Sequence, residues 1–263
     1  MMNPVSTAKQ ISRWTSLGIE LPDELTAALD RFEALQYVEV GHRPTFDLES
    51  VTAENAEEKV REFAKVLANH IPMRLEDGVS ASVLESSKSW ALNEAAIAVK
   101  RTAAQSVPKI IEALEPEFEE HAEAYAEAAL KLPETITSDT LVKAGPDALA
   151  AYGVAKQEAA YIGGIGGWLS QTAEVTGVRS TENFLNVLAP EDALQLVKLD
   201  GANSSSGRAD RTYTAIVPVY FTAARLGVPF ALNLPREASR LRKELELAMQ
   251  SQSQRPTGVA FTR

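Results

Sequence analysis

The residues with the most obvious chemical potential are three histidines, His42, His70 and His121. None stands at metal-ligand spacing from another on a helix. The chain has no cysteine, which excludes disulfides, thiolate nucleophiles and Cys-based zinc or iron–sulfur sites. His121-Ala122-Glu123 echoes the H-x-E of zinc deaminases, but the C-x-x-C that completes such a site cannot exist here. A Glu-x-x-His pair, as used in di-metal carboxylate bundles, occurs at Glu39 and His42, in a segment without helical period. The carboxylates Glu112, Glu115, Glu117, Glu119, Glu120, Glu123 and Glu127 crowd one region. They read as a solvated acidic face, because crowding in sequence does not set two pKa values apart. Ser6/Lys9 and Ser106/Lys109 fit S-x-x-K without its companion motifs, and G-x-S-x-G and H-E-x-x-H are absent.

Two further stretches could hold a ligand. Gly163-Gly164-Ile165-Gly166-Gly167 is followed by Trp168-Leu169 instead of the Lys-Ser/Thr of a P-loop. It lacks the G-x-G-x-x-G order of a dinucleotide fingerprint and carries no basic residue for a KH-type clamp. Close helix–helix contact or a break in the chain accounts for it. Ser204-Ser205-Ser206-Gly207-Arg208, followed by Arg211, could grip an anion, although its composition equally marks a surface loop over 201–210. No catalytic residue, metal or cofactor is assigned on this basis.

The elements that would position these residues are helical. The chain has 263 residues, 45% hydrophobic but only 6% aromatic, so Ala, Leu, Val and Ile must build a thin core. Thr7 to Leu17 reads as a helix stopped by Gly18. A second begins at Pro22, with Leu25, Leu29, Phe32 and Leu35 on one stripe. Residues 36–51 read as linker with a short strand at Tyr37–Val40. Thr52 caps a helix from Ala53 to Ile71, with Ala56, Val60, Phe63, Leu67 and Ile71 on its buried face. Pro146 starts another helix through about Ala160. Pro235 starts a last one, with Leu241, Leu245 and Met249 on one face, ahead of a polar tail.

The strongest pattern lies between Val79 and Leu132. Val83, Trp90, Ile97, Ala104, Ile111, Phe118, Tyr125 and Leu132 recur at every seventh position. Such a repeat keeps one stripe against a neighbouring helix. Its partners at the three-residue step are Val107, Leu114, His121 and Ala128 late but Ser86, Asn93 and Lys100 early, so the seam is one-sided there. Pro108 and Pro116 each remove a backbone donor, which predicts two or three helices in series with breaks at those points. The stripe fits the core of a bundle or, alternatively, an intermolecular coiled coil.

Charge is uneven. Residues 54–139 hold seventeen acidic and nine basic residues, whereas 201–263 hold four and nine. The net charge of −10 opposes broad binding to nucleic acid or an anionic membrane. The apolar block from Tyr213 to Leu234 is interrupted by Arg225, Pro218 and Pro229, which marks a buried segment and not a membrane span. Arg236, Arg240, Arg242 and Lys243 form a basic face on the last helix, suited to docking on an acidic partner.

These features predict a mainly α protein, a multi-helix bundle of compact or elongated form with at most a minor β element. Three segments are expected: N-terminal helices and linker over 1–51, an acidic helical body over 52–160, and a C-terminal region over 161–263 with a Gly-rich break and the basic helix. An acidic helical body, a heptad-like stripe and a short basic C-terminal helix together resemble the layout of viral capsid-scaffolding proteins. Gly163–Gly167 and the block after Arg211 depart from that layout and point to a more compact molecule. The resemblance implies a non-enzymatic structural or assembly protein, cytoplasmic or particle-associated. It would pair with itself through Val83, Trp90, Ile97, Ile111, Phe118, Tyr125 and Leu132, and with another protein through its basic end. An enzyme with an anion pocket formed by Gly163–Trp168 and Arg208/Arg211, and a nucleic-acid adaptor working through the last helix, are the alternatives.

Overall fold

The computed structural model describes residues 3–40, 42, 44–74, 80–178, 183–208 and 210–253. The chain is mainly α, with ten α-helices among the described residues and almost no strand. It divides into two compact units: residues 1–13 with 21–106, and residues 14–20 with 107–263. The division falls inside one helix, so compaction groups the residues differently from the three sequential segments read off composition.

In the first unit, Asn3 caps α1 (Pro4–Ile11), its side chain accepting from Val5 N at 3.0 Å. The helix is shorter than expected, and a 3-10 turn at Trp14–Leu17, which belongs to the second unit, follows before Gly18 at φ 77°. α2 (Asp23–Gln36) buries Leu25, Leu29 and Phe32 as its spacing predicts. Residues 37–40 form no strand; the β element is a short antiparallel pair, β1 (Met73–Arg74) with β2 (Ser80–Ala81). α3 (Ala56–Ala68) is amphipathic, yet none of its residues is buried, and Val60, Val66 and nearby Ile71 are exposed. The buried face expected for it is therefore corrected: only Phe63 finds an aromatic neighbour, Phe46, at 5.0 Å.

α4 (Val83–Leu130) runs unbroken for 48 residues through both Pro108 and Pro116. This corrects the expected breaks. Its start is a capping box that the sequence carries as S-x-x-E: Ser82 N donates to Glu85 Oε2 at 2.7 Å, and Glu85 N donates to Ser82 Oγ at 3.2 Å. Both prolines stand on exposed positions. A carbonyl released by proline on the water side can bond solvent, which lets the helix continue through both positions.

In the second unit, α5 (Ser138–Ala144) opens on a reciprocal Thr137–Thr140 cap. α6 (Pro146–Thr176) then continues straight through Gly163–Gly167, so the Gly-rich break is also corrected. α7 (Ala193–Ser205) is capped by Asp192. It takes up Gly201 to Ser205, and a 3-10 turn covers 206–208, where a loop over 201–210 is expected. Asp210 caps α8 (Arg211–Thr214), α9 (Pro218–Leu226) forms the middle of the apolar block, and α10 (Pro235–Ser253) closes the described chain. The core is aromatic where it is densest. Trp14 meets Trp168 edge-on at 5.6 Å, and Tyr125, Tyr220 and Phe230 pack mutually edge-to-face. Among the described residues no helix is long and apolar enough to cross a membrane. The last ten residues, 254–263, which hold most of the expected tail, lie outside the described residues.

Candidate interaction surfaces

The seven-residue stripe does not stay on one side of α4. Phe118 (1% exposed), Tyr125 (0%) and Leu132 (3%) are buried, whereas Val83 (40%), Trp90 (72%) and Ile97 (36%) are exposed. The reason is periodicity. In a straight helix each heptad drifts by about 20°, so Trp90 stands about 100° around the axis from Tyr125. Beside Ser106 and Ala128, the buried positions are Ala96, Val99, Ala103, Val107, Ile110, Leu114, Phe118, Ala122, Tyr125 and Ala129. Their steps of three and four average close to the helical period of about 3.6. Only the late half of the expected stripe therefore belongs to a core. Within it, Tyr125 Oη donates to Ile216 O at 2.6 Å in a buried setting, fixing α4 to the turn before α9. Ile111 is half-buried.

In the first unit the early half of α4 joins the other exposed apolar side chains. Leu84 N donates to Asn69 O at 3.3 Å, tying the first turn of α4 to the end of α3. A hollow of about 340 Å³ opens there, lined by Val40, Leu67, His70, Ile71, Pro72, Ser82 and Glu85. Ser82 hydrogen bonds hold the Glu85 carboxyl below its ordinary pKa, with a smaller contribution from His70. Lys88 Nζ donates to Val38 O at 2.6 Å, while Tyr37 beside it is 75% exposed.

His121 sits in a cluster that spacing alone does not reveal, because its partner lies 37 residues away on α6. His121 Nδ1 pairs with Glu158 Oε2, Nε2 lies 3.8 Å from Glu117 Oε1, and the ring stacks on Tyr161 at 3.7 Å. Glu158 is 8% exposed, and this imidazole satisfies it. The Tyr161 hydroxyl is enclosed without a hydrogen bond of good geometry. Burial, and then the Glu117 carboxylate acting on it, raise its pKa to about 12. The cluster cross-links α4 to α6. Among the described residues no group of three or more His, Asp or Glu is placed to hold a metal ion.

The glycines are not a loop. In α6 a Cβ on Gly163, Gly164 or Gly167 would meet nothing within 4 Å, and one on Gly166 would lie 3.2 Å from Val187 Cγ1. Gly166 alone serves close packing. Trp168 is fully buried at 0% exposure, so this stretch presents helix interior where a pocket is expected. Arg211 is exposed on the first turn of α8, and the side chain of Arg208 lies outside the described residues.

The basic set on α10 splits. Arg242 is 18% exposed at its side chain, pairs with Asp200 Oδ1 at 2.5 Å and with Glu246 Oε1 at 3.2 Å, and lies over Phe184. It is committed to its own chain, which corrects its expected role in docking. Arg236, Arg240 and Lys243 are exposed, at steps of four and three on the crest opposite buried Ala238 and Leu245. Arg240 makes one exposed pair with Glu244, at 3.6 Å.

Comparison of the chain with protein-family models, with curated proteins and with solved structures finds no match.

Proposed function

We propose that this is a helical assembly protein that pairs with a second copy of itself through the apolar face of its first unit, centred on Trp90. The observation that carries this reading is the exposure of Trp90, at 72%, on a helix whose other half buries Phe118 and Tyr125 in a core. Val83 and Ile97 flank it one heptad away on either side, and α3 presents Val60 and Val66 without burying any residue. An exposed apolar stripe such as Val83, Trp90 and Ile97 marks an interaction site.

A second copy is the occupant that the charges favour. α3 carries Glu57 and Glu58 in its first turn and Lys65 in its last. A two-fold pair of antiparallel α3 helices therefore sets the acidic end of each beside the basic end of the other. The early heptad positions Val83, Trp90 and Ile97 are spaced for burial against a supercoiled neighbour, which the chain's own straight packing does not provide. Burying one exposed indole is worth about 3 kcal/mol per copy at about 25 cal/mol per Å². Particle assembly of the scaffolding kind is the setting that the acidic body and basic terminal helix suit.

Sedimentation velocity of the purified chain at tens of micromolar tests the reading. The wild type is expected to sediment as a dimer, and Trp90→Ser is expected to weaken the dimer at least about a hundredfold, since each 1.4 kcal/mol is about tenfold. A wild type that is strictly monomeric under these conditions, or a Trp90→Ser chain that dimerises as well as the wild type, overturns it.

A further inference from the structure

We propose a second contact between copies, in the second unit: the outward crest of α10 docks on the acidic crest of α4 in a neighbouring copy. The crest of α10 is Arg236, Arg240, Lys243 and Leu247, all exposed, the last by 64%. Its steps are four, three and four. Read backwards along α4, Glu119, Glu115, Glu112 and Pro108 are also all exposed and follow the same steps. Each crest is therefore about 16 Å long at about 1.5 Å per residue. An antiparallel pairing places three cations against three carboxylates and Leu247 against Pro108.

Among the described residues Arg236, Lys243, Glu112, Glu115 and Glu119 make no ion pair in their own chain. Arg240 makes only the exposed pair with Glu244, at 3.6 Å. Both crests face away from their own core, so the pairing joins two molecules. The contact uses different surfaces on the two copies. It is heterologous and propagates, where the Trp90 contact is two-fold and closes. Nucleic acid fits the crest less well, because Glu237, Glu244 and Glu246 flank it on the same helix and the chain as a whole carries a charge of −10. Three exposed ion pairs are weak singly and screened by salt. The contact acts when copies are already gathered, as they are in an assembly.

Charge exchange tests it in the full chain. One variant carries Arg236→Glu, Arg240→Glu and Lys243→Glu; the other carries Glu112→Lys, Glu115→Lys and Glu119→Lys. In sedimentation velocity the wild type shows a step of association beyond the dimer that weakens roughly tenfold from low to high salt. Each variant alone loses that step, and an equal mixture of the two regains it. Circular dichroism checks that both remain helical, and the corresponding Gln variants lose the step without recovery on mixing. Repeating the mixture in the Trp90→Ser background separates the two contacts: recovery there, with the dimer gone, shows that the crests pair independently. A mixture that associates no better than either variant alone overturns the inference and leaves the Trp90 contact standing. So does loss of short-duplex DNA binding in the α10 variant while the α4 variant assembles normally.

Discussion

Tyr125, Tyr161 and Tyr220 show how single side chains tie the second unit together and what that costs at high pH. Burial raises the Tyr220 phenol to about 12 and the Tyr125 phenol well above its ordinary value of 10. Burial together with Glu117 raises Tyr161 to about 12. Below about pH 10 these groups are protonated in the folded and unfolded chains alike and have no effect on stability. Between about 10 and 12 the unfolded chain loses their protons while the folded chain keeps them, so stability falls as pH rises. Urea unfolding followed across this range is expected to show the loss. The double variant Tyr161→Phe/Tyr220→Phe is expected to flatten it, and an unchanged slope in that variant would place both phenols in water. Tyr125 is kept out of this test because its hydroxyl also satisfies the buried Ile216 carbonyl.

At the scale of elements, α4 and α6 both run through residues that ordinarily end or weaken helices. Proline inside a helix costs about 3 kcal/mol, and Pro108 and Pro116 have exposed side chains with no packing to lose. Pro108→Ala and Pro116→Ala are each expected to raise stability by about 1–3 kcal/mol, read as a higher urea midpoint with unchanged slope. A lowered midpoint would mean that the chain needs a break there. The α6 glycines divide in the same way. Gly164→Ala and Gly167→Ala are expected to stabilise by about 0.5–1 kcal/mol each, since a methyl meets nothing. Gly166→Ala is expected to fall below both, because its methyl presses on Val187. Equal gains at all three positions would contradict the close approach.

At the scale of the whole molecule, substitutions along one heptad series should have opposite readouts. Trp90→Ser removes surface from water-exposed α4 and is expected to leave the melting temperature nearly unchanged while weakening association. Phe118→Ser empties a fully buried site and is expected to cost about 3–5 kcal/mol, a large share of a typical domain's stability. Its readout is unfolding, not a folded monomer. A folded, monomeric Phe118→Ser protein would instead move the self-association face to the late half of the stripe.

The helical class was legible from residue types: apolar steps of three and four and helix-starting prolines such as Pro146 and Pro235 act within one or two turns. The acidic middle and the basic end were legible in the same way. The exposed carboxylates of α4 follow from local composition, whereas the split of the α10 cations, with Arg242 paired to Asp200, does not. Which apolar residues are buried was not legible, because a seven-residue spacing reads equally as a core stripe or an exposed face until a neighbour fixes the helix's rotation and supercoil. Tertiary packing chose the straight-helix period of about 3.6, burying Phe118 and Tyr125 and leaving Trp90 in water. Packing also carried α4 through two prolines and α6 through five glycines, since contacts along a whole helix outweigh a local cost of a few kcal/mol. It brought Glu158 to His121, Asp200 to Arg242 and Ile216 to Tyr125 across separations of 37, 42 and 91 residues. Partners that far apart along the chain leave no periodic trace, so only the folded structure could pair them.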